Sequence, residues 1–193
     1  AALIVAIMIG RMGWELVWQS GQELIDASLD EAVVARINEE ILGVDGVVSL
    51  HQLRTRQSGS DAFADVHIQV PSHISVSEGH RIADAVRHRL IETFDQMTDV
   101  TVHTDPEDDD VAAPCRDLPL RTEALAMLES RWQALPLAKY IDCVKLHYLD
   151  GLIEVDVYLA SGSEALSDSD VEKFKDISGP LEQVRKVRVY RPV

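Results

Sequence analysis

Four histidines and one aspartate between residues 51 and 105 have the types and spacing of a metal site. His51 and His67 are equidistant from Gly59, so a hairpin turning at that glycine would set them face to face across a ladder. Cross-strand neighbours have Cβ atoms about 5 Å apart, a gap that one ion can bridge. His103 and Asp105 are two apart in an apolar stretch and would share one side of a strand. His80 opens a helical segment, with Asp84 and His88 further along its face. Imidazole nitrogens with carboxylate oxygens suit Zn²⁺, and Fe²⁺, Cd²⁺, Co²⁺ or Mn²⁺ accept the same donors. Asp105 has two oxygens and could bridge a pair of ions. Scattered solvated or core histidines are the competing explanation, and His73 and His88 fit it best.

The elements that would position these residues read as αββαβ. Val33, Val34, Ile37 and Ile41 predict a helix over Asp30–Leu42. Strands follow at Val47–Thr55 and Ala62–Val70, around a turn at Ser58-Gly59-Ser60. Ile82, Val86, Leu90 and Ile91 mark a helix over Ser75–Phe94, and Val100–Asp105 is a last strand. The pattern then recurs. Leu120–Leu135 is a helix, Ile141–Tyr148 and Leu152–Leu159 a hairpin about Asp150-Gly151, Asp168–Leu181 a helix and Val184–Tyr190 a strand. The expected fold is α+β: a helix, then two ferredoxin-like or open-faced sandwich units. The segments are 1–28, 29–106, an acidic linker 107–119, and a degenerate second copy 120–193. Aligning the copies places His147 over His51, Asp156 over His67 and Asp170 over His80. These three could form a weaker site of harder ligands, though a copy that pads or extends a dimer is the plainer reading. Cys143 reads as a small buried hydrophobe.

Acidic residues outnumber basic ones 33 to 18, a formal net charge of −15, which argues against nucleic-acid binding. Two cysteines without a CxxC partner give no disulfide framework or zinc ribbon, so a reducing compartment is the default. No nucleophile elbow, phosphate loop or HExxH motif points to an enzyme. Residues 1–9 are uncharged and apolar, without the basic start or the cleavage site of a secretory signal. Nine helical residues reach only about half of a bilayer core, so the segment reads as the end of a transmembrane helix, with residues 1–18 contacting the membrane. Trp14, Trp18 and Arg11 would sit at the interface. The alternative is a soluble metal-binding or sensory module with residues 1–18 buried in its own core.

The stretch His51-Gln52-Leu53-Arg54-Thr55-Arg56-Gln57-Ser58-Gly59 resembles the strand and turn of cation diffusion facilitator transporters, most closely the zinc and ferrous-iron efflux branch. His67 in Asp-Val-His-Ile-Gln-Val, His80 in Gly-His-Arg-Ile-Ala-Asp, and His103-Thr104-Asp105-Pro106 follow in the family's order. Gly13-Trp14-Glu15 and Leu24-Ile25-Asp26 are similar to the end of the last membrane helix and the loop leaving it. The resemblance covers residues 1 to 107. It implies a proton-coupled exporter of divalent cations, homodimeric through a cytoplasmic domain, in the inner cell membrane, with residues beyond about 20 in the cytoplasm. It further implies zinc ligation by His51, His67, His80, His103 and Asp105, and a charge interlock near the membrane at Asp26. The family's transport site lies on membrane helices that have no counterpart in this sequence, and residues 116–193 exceed the usual single domain.

Overall fold

The computed structural model describes residues 2–24, 28–108, 111–179 and 181–192. The chain divides into two compact units, one ending at Pro106 and the other beginning at Glu107. The first contains α1 (Ala2–Leu24), α2 (Glu31–Leu42), β1 (Ser49–Ser58), β2 (Asp61–Gln69), α3 (Val76–Thr93) and β3 (Met97–Asp105). The second contains α4 (Arg121–Trp132), β4 (Ile141–Leu149), β5 (Leu152–Leu159), α5 (Asp168–Ser178) and β6 (Val184–Tyr190). Each unit has a three-stranded sheet whose central strand pairs antiparallel with its predecessor and parallel with its successor. The parallel pairing requires a crossover, which α3 and α5 supply. The fold is α+β, two αββαβ units, as the periodicities predict.

Alternation along β2 decides which face is available for chemistry. Ala62, Ala64, Val66 and Ile68 are buried in one core with Ile37 and Ile41 of α2 and Val86 and Leu90 of α3. Phe63, Asp65, His67 and Gln69 therefore face away from the helices. α3 begins where Ser75 caps it, its hydroxyl accepting from the Glu78 N–H at 3.1 Å. Leaving α1, the chain is fastened to β1 at Thr55, whose Oγ1 accepts from the Leu29 N–H at 3.2 Å and lies 3.1 Å from Ser28 Oγ.

The turn between β1 and β2 corrects the expected register. Ser58 pairs with Asp61, so the loop is Gly59-Ser60 and centres between those residues. Gly59 has φ +61° and Ser60 does not have a positive φ, the pattern of a type II′ turn. Gln52, not His51, thus stands opposite His67, and the ladder slips one residue so that Leu50 opposes Ile68. His51 is the extra residue of a β-bulge.

The second unit repeats both irregularities. Its turn is Asp150-Gly151, with φ +48° and +70°, a type I′ pair. Its bulge falls at Asp142, between Ile141/Leu159 and Cys143/Tyr158. The parallel ladders also slip at matching places, Ala62/Phe63 and Ile153/Glu154. Superposing turn on turn sets Tyr158, not Asp156, at the position of His67, and Asp142, not His147, at that of His51. The parallel ladder then sets Tyr190 at the position of His103. α4 and α5 stop earlier than expected, at Trp132 and Ser178, ahead of Pro136 and Pro180. Cys143 is exposed rather than buried.

α1 presents apolar side chains all round. Leu3, Ile4, Ile7, Met8, Ile9, Met12, Trp14, Leu16, Val17 and Trp18 are each at least 59% exposed. Residues 2–18 are thus not the core helix that a soluble module required. No helix among the described residues is long and apolar enough to cross a membrane. Asp26 lies outside the described residues.

The core of the second unit centres on Trp132 and Phe174, ring centroids 4.9 Å apart. Trp132 Nε1 donates to Ser178 Oγ at 2.8 Å, and that hydroxyl donates to the Phe174 carbonyl. Ser178→Ala strands a buried N–H and should cost about 1–3 kcal/mol in urea unfolding followed by Trp132 fluorescence. At the turn, Asp150 accepts from the Ala113 N–H at 3.1 Å and pairs with Arg185 at 2.8 Å. These contacts, the Ala113 bond first, hold its carboxyl below the ordinary range. Asp170 is lowered by the Ser167 hydroxyl and N–H that it accepts from in the capping box of α5. A lowered carboxyl stabilises fully above its unfolded pKa, and the contribution disappears as pH falls through the folded one. The double variant Asp150→Asn, Asp170→Asn should therefore unfold thermally with a shallower pH dependence below about pH 4 than the parent.

Candidate metal centre

The parallel pairing of β2 with β3 puts His67 beside His103 and Gln69 beside Asp105. The two imidazoles lie on the face turned from the helices, ring centroids 4.7 Å apart and planes inclined at 42°. Asp105, the last residue of β3, is 3% exposed and reaches both rings. Its Oδ1 is 2.7 Å from His103 Nδ1 and its Oδ2 3.3 Å from His67 Nδ1. One potential ligand atom from each of the three lies within 4.8 Å of the others, and this is the only such group of three or more among the described residues.

Burial and exposure are divided usefully within the trio. The carboxylate is shielded, while the His67 and His103 side chains are 38% and 60% exposed. A shielded carboxylate needs a compensating positive charge or hydrogen bonds, and imidazoles supply these without carrying a fixed charge. Two nitrogens and one oxygen are the donors that Zn²⁺ takes, and they suit other borderline divalent ions. Three protein donors leave a tetrahedral ion one position for water or for a group from another chain. The residues present therefore fit a divalent cation.

The remaining expected ligands are placed differently. His51 sits in the bulge, half-buried, on the β1 side of His67 and outside the close trio. His80 is exposed on the second turn of α3, its Nε2 3.6 Å from Asp84 Oδ2, and is also outside the trio. His88 Nδ1 lies 2.7 Å from the Asp84 carbonyl, and His73 is exposed. Gln52, the partner of His67, escapes a reading that counts outward from Gly59; treating the loop as two residues finds it.

In the second unit the matching rung holds Tyr158 and Tyr190, stacked at 4.8 Å and 15°. His147 Nε2 is 3.2 Å from Asp156 Oδ2, but the other Asp156 oxygen accepts from Arg188 Nη1 at 3.1 Å. Asp170 is occupied with capping α5 and does not join them.

The family described as cation efflux protein, cytoplasmic domain, matches residues 29–107. Residues 29–107, from the segment before α2 to the end of β3, are thus similar to a cation-efflux cytoplasmic domain, in line with the resemblance carried by the His51–Gly59 stretch. That family is one of transporters rather than an enzyme class. Metal tolerance protein 2 of Oryza sativa subsp. japonica is 40% identical over 103 residues, which cover 53% of this chain and 26% of that protein. The cation-efflux pump FieF of Shewanella oneidensis is 34% identical over 105 residues, 54% of this chain and 35% of the pump. The chain thus matches about a third or less of these relatives' length. Among solved structures, a nickel form of the MamM CTD is 29% identical, with TM-score 0.40, covering 41% of this chain and all of that one.

Proposed function

We propose that this chain is the regulatory, metal-binding and dimerising portion of a proton-coupled divalent cation efflux transporter. The observation that carries the reading is the shielded Asp105 carboxylate meeting the imidazoles of His67 and His103. Those three residues hold the ion, zinc being the best match to the donors and ferrous iron, cadmium, cobalt and manganese the competitors. His51 in the bulge and His80 on α3 extend the ligand set when the domain pairs with a second copy.

A bound divalent ion supplies fixed positive charge at this face. Two chains of formal charge −15 repel as their cytoplasmic domains approach. Asp105 and the two imidazoles draw the cation to the face where that repulsion must be overcome, and a higher affinity in the paired state shifts the population towards it. α1 joins this domain to the membrane through its exposed apolar side chains, with the described domain on the cytoplasmic side of the inner membrane. Asp26, in the segment between α1 and α2, carries the charge interlock at that boundary. Cytoplasmic metal then acts as an activator of export.

Zinc titration by calorimetry tests the site. The double variant His67→Ala, Asp105→Ala should bind zinc at least about 100-fold more weakly than the parent, with thermal unfolding unchanged in chelator. Unaltered affinity would remove the trio from the ligand set. Affinity of the parent should fall on acidification, because protons compete for ligand imidazoles.

A further inference from the structure

The outer face of the second sheet holds a cluster of charges that the metal site does not use. β5 is buried on both sides: Ile153, Val155 and Val157 enter the core, while Glu154 and Asp156, on the opposite face, are only 7% and 6% exposed. Arg188 of β6 spans the two carboxylates, Nη1 donating to Asp156 Oδ1 at 3.1 Å and Nη2 to Glu154 Oε2. Arg185 lies 4.0 Å from the other Glu154 oxygen and 2.8 Å from Asp150. One rung along, Tyr158 and Tyr190 stack, and Lys145 Nζ stands 4.8 Å from the centre of the Tyr158 ring.

We propose that the second unit is a metal-independent counterpart of the first, in which Arg188 neutralises the buried carboxylates and the Tyr158–Tyr190 stack fills the rung of His67 and His103. The equivalence rests on the shared register, since both units carry a bulge and a parallel-ladder slip at matching positions. A guanidinium carries its charge at every physiological pH and fits two carboxylates with two parallel donors. Asp156 above all holds the Arg188 proton more firmly than usual. A divalent ion approaching His147 and Asp156 would meet this fixed charge at close range. The phenols offer no replacement ligand. Burial first, and then the Asp156 charge, pushes the Tyr190 hydroxyl up, so it stays neutral. The role at Asp105 that exchangeable metal is proposed to fill is filled in the second unit by a side chain that cannot leave.

The full chain tests this in two arms. In zinc calorimetry, His147→Ala should keep the parent's stoichiometry, with affinity within about twofold of it. Loss of a zinc equivalent, or weakening beyond about 10-fold, would overturn the proposal. In chelator, Arg188→Met should lower the thermal midpoint of the second unit by at least about 10 °C, read from Trp132 in a Trp14→Phe, Trp18→Phe background. Arg188→Lys, which keeps the charge but not the fork, should fall between parent and Arg188→Met, and it serves if Arg188→Met does not fold. No drop in either variant would overturn the proposal. A parent that binds no zinc at all would refute the function proposed above and leave the Arg188 arm standing.

Discussion

The parallel pairing of β2 with β3 is the constraint on which the candidate site depends. It joins residues separated by a whole helix and matches them rung for rung, so His67 meets His103 and the last residue of β3 closes the set. An antiparallel neighbour would have reversed the order and carried Asp105 away from His67. The crossover helix α3 makes the parallel arrangement possible, and its apolar face, with that of α2, covers one side of the sheet and leaves the other for polar chemistry. Core and site are thus two faces of one strand.

The charge distribution follows the same division. On the outer face of the first sheet, a shielded carboxylate faces two imidazole rings, the arrangement proposed to take a divalent cation. On the outer face of the second, two shielded carboxylates face a guanidinium. Shielded acids must be compensated in either case. The chemical difference lies in whether the compensating charge can dissociate. If the proposed metal site is occupied reversibly, the chain sets one responsive surface and one fixed surface on the same strand pattern.

Most of the architecture was legible in the residues, because periodicity reports burial and burial is what shapes the units. Ile37 and Ile41, or Val86 and Leu90, mark their helices unambiguously, and Asp150-Gly151 marks its turn. The nearness of His103 to Asp105 follows from strand alternation alone. Register was harder. A turn of two residues and a turn centred on one differ by a single position, and only backbone conformation at Gly59 and Ser60 separates them. The two units align only through their turns and bulges, which set Tyr158 at the position of His67 and Tyr190 at that of His103, whereas matching residue types displaces His147 by five positions and Asp156 by two. Burial of Asp105 had no local signal, since it arises from strands brought together across the fold. The role of Asp170 is carried by its spacing from Ser167, that of a capping box ahead of Val171, rather than by its alignment with His80.

The bulge at His51 also has a bearing on how such a strand can change over generations. By absorbing one residue outside the ladder it resets the phase of β1, so that Leu50 and Leu53 both reach the core although an odd spacing separates them. The side chain in that slack position is not counted by the pairing on either flank. It can be exchanged without turning the strand inside out, as the Asp142 that fills the same slot in the second unit illustrates. Chemistry at this edge of the sheet can therefore drift while the scaffold beneath it stays in frame.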